Sequence, residues 1–340
     1  MKPQLQLLIY ITFFFTTVSS PMSQSYDGSL SAVSSDGFLI ALVPYDTSIA
    51  SNTPKNIFSM IYNAQNGRCI GKIPGIITSF STDSKMVSSI TDTNLISVYK
   101  LHTKNVACQF TGIYAKFVGN LLVVAITETA AEIYRITDWK LLRNMTGALT
   151  ERSKEAFASP LAARNTKILT VFKKDFVTAE DLSIDAEPET FRGSEGSFSD
   201  NGQIVAIDSI PASYPTTGIY DVTSRKELSR ILGYWALFVP NTHSVMTTKY
   251  LDQEHQTTLY DYVTGVPLQT YSGSALQCAP NGKAFIALVD GIYSTVPDSI
   301  RVYEFQSGHV QEEFNGESIV FFLPSGKLCV QDGEYVRISP

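Results

Sequence analysis

The 340-residue chain is poor in charge and in histidine, and both shortages limit what it can do. Only 17% of its residues are charged, its net charge is −6, and it contains no run of basic residues. A nucleic-acid surface needs a concentrated basic face, so we exclude nucleic acid as a partner. The few histidines fall in turns or polar loops of four separate repeats, which argues against a shared metal centre. They are His102, His243, His255 and His309.

Common catalytic signatures are also missing. The chain has no G-x-S-x-G, no H-E-x-x-H, no G-x-G-x-x-G and no phosphate loop ending in Gly-Lys-Ser or Gly-Lys-Thr. An acidic stretch over residues 180–189 lacks the alternate ligands and the glycine of a calcium loop, which favours a solvated hairpin. The sequence therefore predicts no catalytic residues, no metal and no cofactor, and indicates a protein that is not an enzyme.

What the chain does contain is a repeat of about 40 residues, the length of one propeller blade. Seven glycines each follow an outer hairpin, and in six of these repeats a tyrosine stands thirteen residues before the glycine. The pairs are Tyr62/Gly75, Tyr99/Gly112, Tyr134/Gly147, Tyr220/Gly233, Tyr260/Gly273 and Tyr303/Gly316. Only the repeat ending at Gly193 lacks its tyrosine. A polar turn and an apolar run follow each glycine, which indicates a β-propeller of four-stranded blades.

The tyrosines lie on the predicted third strand of each blade. Side chains there alternate between two faces, as in Ile300-Arg301-Val302-Tyr303. Asp-Gly and Asn-Gly pairs at the polar turns suit tight hairpins between the first and second strands. Because the tyrosine has the same register in each of these blades, we predict that it packs between blades and does not form a ligand-stacking set.

The turns predict eight blades, of which the last begins at residue 317 and stops after its third strand. Residues 21–28 resemble the repeat end at 267–273, so they can donate the missing fourth strand. Such a strand would close the ring and remove two exposed sheet edges. The predicted fold is all-β, a single β-propeller over residues 21–340 with eight four-stranded blades closed by an N-terminal strand, in a monomeric domain.

Residues 1–20 have the layout of a secretory signal. Lys2 precedes an apolar stretch over residues 5–18 that is too short to span a bilayer comfortably, and small residues follow it. The sequon at Asn144 would then be a glycosylation site. We therefore predict secretion, with no integral membrane span in the mature chain. The alternatives are an extra strand, or a start codon chosen too far upstream of a cytoplasmic propeller.

The four cysteines leave the compartment open. None forms a C-x-x-C pair, and their spacings fit no zinc pattern. Cys69 and Cys108 lie near the ends of adjacent outer strands, where a cross-blade disulfide is conceivable. Free buried thiols are the favoured interpretation for all four, Cys278 and Cys329 included.

The order of polar turn, apolar strand, aromatic third strand and hairpin resembles the WD-repeat superfamily over residues 21–340. Tyrosine replaces the tryptophan of that family's Trp-Asp pair, although Tyr220-Asp221 and Tyr260-Asp261 keep the aspartate. The family's Gly-His pair is absent. The resemblance implies a rigid platform for protein–protein interaction, usually without catalysis. Quinoprotein dehydrogenases are also similar in their hairpins, but they rely on repeated tryptophans, and this chain has only Trp139 and Trp235.

Long loops between second and third strands are expected to gather on one face. They span residues 44–55, 209–218, 249–256 and 290–299, and they carry one tyrosine each. These tyrosines are Tyr45, Tyr214, Tyr250 and Tyr293. Tyrosine on loops held by a rigid scaffold is typical of binding surfaces, although variable solvent loops with locally packed tyrosines would look the same.

Two functions are compatible with this sequence. The favoured hypothesis is a non-catalytic scaffold that presents the long-loop face to a protein partner, whose identity the sequence does not specify. The alternative is an enzyme or a small-ligand binder, quinoprotein-like or sugar-processing, that uses the central channel.

Overall fold

A computed structural model gives the architecture. It describes residues 24–26, 28–44, 57–91, 93–127, 130–146, 148–149, 167–172, 176–181, 189–209, 215–251, 254–290, 297–316, 318–323, 325–332 and 335–339. Thirty-two β-strands in these residues form eight four-stranded antiparallel sheets. The predicted all-β fold with eight blades is therefore confirmed. Among the described residues, no helix is long and apolar enough to cross a bilayer.

Blades 1 to 4 each use four consecutive strands, ordered from the channel outward. Blade 1 has β2 (Ser29–Val33), β3 (Leu39–Val43), β4 (Phe58–Asn63) and β5 (Cys69–Pro74). Blade 2 has β6 (Ile76–Phe80), β7 (Met86–Ile90), β8 (Leu95–Lys100) and β9 (Val106–Thr111). Blade 3 has β10 (Tyr114–Val118), β11 (Leu121–Thr127), β12 (Ala130–Arg135) and β13 (Leu141–Thr146). Blade 4 has β14 (Ala148–Leu149), β15 (Lys167–Phe172), β16 (Phe176–Asp181) and β17 (Glu189–Arg192).

Blades 5 to 7 repeat this order, and blade 8 combines the two ends of the described chain. Blade 5 has β18 (Glu195–Phe198), β19 (Ile204–Asp208), β20 (Thr216–Asp221) and β21 (Glu227–Leu232). Blade 6 has β22 (Tyr234–Phe238), β23 (Ser244–Leu251), β24 (Glu254–Asp261) and β25 (Pro267–Ser272). Blade 7 has β26 (Ser274–Cys278), β27 (Ala284–Asp290), β28 (Pro297–Glu304) and β29 (Val310–Asn315). Blade 8 has β30 (Ile319–Phe322), β31 (Leu328–Asp332), β32 (Tyr335–Ile338) and β1 (Gln24–Tyr26).

The ring closes as predicted. Strand β1 pairs antiparallel with β32, with Gln24 opposite Ile338. Leu30 of blade 1, Ile286 of blade 7 and Val320 of blade 8 belong to one buried apolar cluster. Blade 8 therefore packs against both of its neighbours, and β1 covers the edge that β32 would otherwise expose.

The third-strand tyrosines pack between blades, as their register predicts. Tyr303 is buried in β28, and its ring stacks on Phe285 with centroids 5.2 Å apart. Its hydroxyl donates a hydrogen bond to the carbonyl oxygen of Ser272 in blade 6, at 3.1 Å. The tyrosine thus joins two blades through both its ring and its polar end.

The repeat glycines join the outer strand of one blade to the inner strand of the next. Gly75, Gly233 and Gly273 adopt φ values of 83°, 109° and 97°, which residues other than glycine rarely adopt. A Cβ on Gly75 would lie 2.5 Å from the carbonyl oxygen of Ile90. Close approach of the backbone therefore explains why glycine recurs at these joints.

All four cysteines are free thiols, so the conceivable cross-blade disulfide is not formed. Cys278 and Cys329 are buried as predicted, and burial raises the pKa of Cys329. The same prediction is wrong for Cys69, which is exposed, and for Cys108, which is half-buried. Both lie on outer strands, β5 and β9, where one side of the sheet edge faces solvent.

Because every blade is an up-and-down sheet, its connections divide between two faces. We call the face with the second-to-third-strand hairpins and the repeat glycines the upper face. The lower face carries the first-to-second and third-to-fourth turns. The central channel runs between the two faces, bordered by the eight inner strands.

Candidate functional site

Of the four loop tyrosines, only Tyr250 can be placed. Tyr45, Tyr214 and Tyr293 lie outside the described residues. Tyr250 is 60% exposed, but it belongs to strand β23 and not to a loop. The predicted loop at 249–256 is wrong, because β23 and β24 stay paired to Leu251 opposite Glu254. Threonine-rich segments favour the extended backbone, which lengthens this hairpin on the upper face.

The predicted spread of the histidines over four repeats is wrong, because His243 and His255 both belong to blade 6. His102, His243 and His309 lie in connections between strands, as predicted, whereas His255 is half-buried in β24. Its ring meets the ring of Tyr250 edge to face at 5.1 Å. Within the described ranges, no group of three or more histidine, cysteine, aspartate or glutamate side chains could hold a metal ion.

Exposed apolar side chains stand within or just before four of the inner strands, near the upper mouth of the channel. They follow the repeat glycines by one to three residues and are Ile76, Ile113, Trp235 and Leu276. They belong to blades 2, 3, 6 and 7. In a closed ring of eight blades, blade 2 stands opposite blade 6 and blade 3 opposite blade 7. The upper ends of the inner strands therefore carry exposed apolar side chains on opposite sides of the ring, and exposed apolar surface is a common feature of ligand sites.

Trp235 has the most unusual backbone of these four. It is 46% exposed, and its φ is 57°, in the left-handed region. The pairing of β22 with β23 shifts register between Tyr234 and Leu237, so a β-bulge surrounds the tryptophan. The left-handed region costs a residue with a side chain roughly 1–2 kcal/mol. Such strain persists where the surroundings impose it, and it concentrates at functional sites.

A buried carboxyl group holds this backbone. Asp208, at the upper end of β19, is 3% exposed and accepts a hydrogen bond from the backbone N–H of Trp235 at 2.8 Å through Oδ2. Its Oδ1 lies 2.7 Å from Thr217 Oγ1, which also lies 3.0 Å from the carbonyl oxygen of Gly233. Asp208 is the one acidic or basic side chain that is buried among the described residues. One side chain thus ties β19, β20 and the joint before β22 together.

Other blades make the same joint with a hydroxyl group alone. In blade 1, Ser59 Oγ donates to the carbonyl oxygen of Gly75 at 2.9 Å and accepts from the N–H of Ile77 at 3.0 Å. In blade 6, Thr257 Oγ1 makes the equivalent bonds to Gly273 and Ala275, at 2.7 and 2.9 Å. Blade 5 differs because Asp208, and not a hydroxyl group, accepts the hydrogen bond from the N–H two residues after the repeat glycine.

Sequence reasoning missed Asp208 and treated Trp235 only as one of too few tryptophans. A signal existed in the register. The residue that pairs with the position three before the third-strand tyrosine is Ile90 in blade 2, Thr248 in blade 6 and Leu288 in blade 7. In blade 5 it is Asp208. An acidic residue at the end of an apolar run, where the other blades are apolar or hydroxylic, marks a local exception.

Asn144 and the described part of the acidic stretch lie away from the channel mouth, and residues 182–188 of that stretch lie outside the described residues. Asn144 is exposed on the outer strand β13, opposite Glu132. Of the acidic stretch, Glu189 on β17 forms an ion pair with Arg225 of blade 5.

The comparisons with known proteins support the architecture. No family model matches the sequence, and no curated protein matches it either. A solved structure described as "Dihydro-heme d1 dehydrogenase NirN in complex with DHE" is similar, with a TM-score of 0.55 and 11% sequence identity. The match covers 85% of this chain and 72% of that one. At this identity the likeness shows a shared propeller-like fold, and no family model supports membership of the WD-repeat superfamily.

This likeness corrects the functional expectation. The non-catalytic protein scaffold inferred from the WD-repeat resemblance is contradicted, because the similar propeller is a dehydrogenase in complex with a ligand. The expectation that the chain is not an enzyme loses its basis for the same reason.

Proposed function

We propose that this propeller binds a small, planar, largely apolar ligand at the upper mouth of its central channel, with Trp235 as the stacking surface. One observation carries the proposal: an exposed tryptophan on a left-handed backbone that a buried carboxyl group holds in place. The indole meets the ring of Tyr234 edge to face, with centroids 4.8 Å apart, and the residue is still 46% exposed, which leaves apolar surface for a ligand.

The other apolar side chains at the mouth define the shape of the ligand. Leu276 lies on blade 7, next to the blade of Trp235, while Ile76 and Ile113 belong to blades 2 and 3 on the other side of the ring. A flat ring system lying across the mouth would contact both sides. The extended hairpin of blade 6 adds Tyr250 and Leu251 at its rim. A dihydro-heme, named for the similar dehydrogenase, belongs to this class of planar ring systems.

The proposal includes a cellular setting. We propose that the protein is secreted, that its mature domain begins near residue 20 and that Asn144 is glycosylated. Each rests on the sequence features of residues 1–20 and on the exposed position of Asn144. N-terminal sequencing of protein from its native source tests them, since a mature chain that still begins at Met1 would end the secretory interpretation.

Metal-free protoporphyrin IX is a suitable probe, because its macrocycle is planar and largely apolar and its visible absorption changes on binding. Titrations of wild type, W235A and W139A give the dissociation constants. We expect W235A to weaken binding roughly tenfold or more through lost burial and stacking. Trp139 lies in a lower-face turn against Phe110, so W139A should bind as wild type does. Equal affinity for W235A and wild type, or no saturable binding, would refute the proposed site.

A further inference from the structure

We infer that Asp208 is a positioning residue, whose carboxyl group fixes the backbone of Trp235 so that the indole is presented at the channel mouth before any ligand arrives. The benefit of an exposed indole rests on the proposed ligand site, whereas the role of Asp208 in holding the Trp235 backbone rests on geometry alone. Asp208 does not reach the mouth itself, since its side chain is buried.

The joint before Trp235 differs in geometry from the other joints between blades. At the other joints with a hydroxyl bridge, the residue two after the repeat glycine is Ile77 or Ala275, and both are buried with ordinary φ values. Their N–H groups are held by Ser59 and Thr257. The same position in β22 is Trp235, which is exposed and left-handed, and its N–H is held by Asp208.

The two oxygens of Asp208 explain why a carboxyl group serves here. Oδ2 accepts from the N–H of Trp235, and Oδ1 accepts from Thr217 Oγ1, whose hydroxyl also approaches Gly233. A carboxyl group offers a separate oxygen to each partner, whereas a hydroxyl side chain would have to serve both through one atom. The carboxyl group therefore orients the peptide of Trp235 relative to the glycine joint that precedes it.

Intrinsic fluorescence of Trp235 can test this without a ligand. In a W139F background Trp235 is the only tryptophan. The emission maximum and the acrylamide quenching constant then report how its indole is exposed. D208L removes both acceptors, whereas D208N keeps one oxygen for the N–H of Trp235 and an amide group that can face Thr217. We expect D208L to shift the emission and to change the quenching constant, and D208N to stay close to the W139F parent.

Protoporphyrin IX provides the second readout. Loss of the carboxyl group lowers the population of the presented indole, so the dissociation constant of D208L should rise about tenfold, and that of D208N much less. T217V removes the hydroxyl that orients Oδ1 and should give a smaller change in the same direction. It serves as the informative variant if D208L does not fold.

The control is S59A, which weakens the corresponding joint between blades 1 and 2 and should leave Trp235 fluorescence unchanged. The inference is overturned if folded D208L matches the parent in emission and quenching, or if S59A produces the same changes as D208L. If the parent fails to bind protoporphyrin IX, the proposed function fails, while the quenching experiment still decides the role of Asp208.

Discussion

The two tryptophans have nearly the same backbone angle for different reasons. Trp139 has φ 56° and Trp235 has φ 57°. Trp139 occupies the turn between the third and fourth strands of blade 3, where Gly265 and Gly308 serve in blades 6 and 7. Its N–H donates to the carbonyl oxygen of Arg135, as the turn requires. A left-handed residue there is ordinary hairpin geometry.

Turn geometry does not explain the backbone of Trp235. It lies in an inner strand, at a position where Ile77 and Ala275 have ordinary φ values. Inner-strand bulges also occur in blades 1, 2 and 7, so the hydrogen bond from Asp208 is what sets Trp235 apart. Trp139 is half-buried against Phe110, whereas Trp235 is exposed at the mouth. The same local conformation thus serves turn formation in one blade and side-chain presentation in another. Context, and not the φ value, identifies the functional residue.

The largest expected effect is a difference in stability between substitutions on the packed side and on the exposed side of one inner strand. Ile77 is fully buried between blades 1 and 2, whereas its neighbour Ile76 is exposed at the mouth. I77A should lower the free energy of unfolding by about 2–5 kcal/mol, measured by urea denaturation. I76A should change it by less than about 0.5 kcal/mol while weakening protoporphyrin binding. Similar stability losses for both would remove Ile76 from the site.

The next prediction concerns the glycine joint that delivers Trp235. A Cβ on Gly233 would lie 2.6 Å from Thr247 Oγ1 and 2.7 Å from the carbonyl oxygen of Thr248. G233A should therefore cost about 3 kcal/mol of unfolding free energy, from left-handed strain and the clash. G265A is the matched control, because Trp139 occupies the same turn position in blade 3. It should cost only about 1 kcal/mol. Equal losses would contradict the assigned difference between joint and turn.

Alanine at each tryptophan sharpens the comparison directly, since both variants keep a left-handed non-glycine residue. W139A should cost about 1–2 kcal/mol through lost packing on Phe110, and W235A about 0.5–1 kcal/mol through the lost edge-to-face contact with Tyr234. W235G loses the same contact but relieves the backbone strain, so it should be about 0.5–1 kcal/mol more stable than W235A, while losing ligand affinity. Thermal and urea unfolding measure all three. A W235G variant no more stable than W235A would contradict the assigned backbone strain.

The smallest effect compares the lower-face turns of different blades. Partial burial alone would raise the pKa of Asp36, but hydrogen bonds donated by Ser34, Phe38 and Ser84 lower it overall. The pKa of Asp83 is likewise lowered. Blade 5 builds the same turn with Asn201, which does not titrate.

A carboxyl group with a lowered pKa in the folded state stabilises fully above its unfolded pKa, and this contribution is lost as the pH falls through the folded value. The D36N/D83N double variant should therefore lose less stability than wild type between pH 6 and pH 3 in urea denaturation. Solvent screening of these exposed groups keeps the difference to about a few tenths of a kcal/mol. An N201D variant should show the opposite trend, and an unchanged pH slope in both variants would contradict this account.

Much of the architecture could be predicted because it repeats. The Tyr/Gly spacing, the polar turns and the donated strand at 21–28 recur or complete a pattern, so the eight blades and their closure follow from the chain itself. The site does not repeat. Trp235 and Asp208 lie in different blades and meet only through the register of β19 against β20 and the packing of β22 beside them.

The hairpin of blade 6 and the thiols show a second limit. A polar stretch with a tyrosine resembles a loop, yet cross-strand pairs extend β23 and β24 through it. Burial of a cysteine depends on which side of an outer strand it occupies, and composition does not reveal this side. Function by family resemblance failed for a related reason, because one propeller scaffold supports many unrelated activities.

The most direct test of the channel-mouth site uses the two indole N–H resonances of the protein. In a ¹⁵N correlation spectrum they are assigned with W139F, and protoporphyrin IX is then added stepwise. We predict that the Trp235 resonance shifts through the ring current of the stacked ligand while the Trp139 resonance stays in place. A shift of Trp139 without Trp235, or saturable binding that moves neither resonance, would contradict the account.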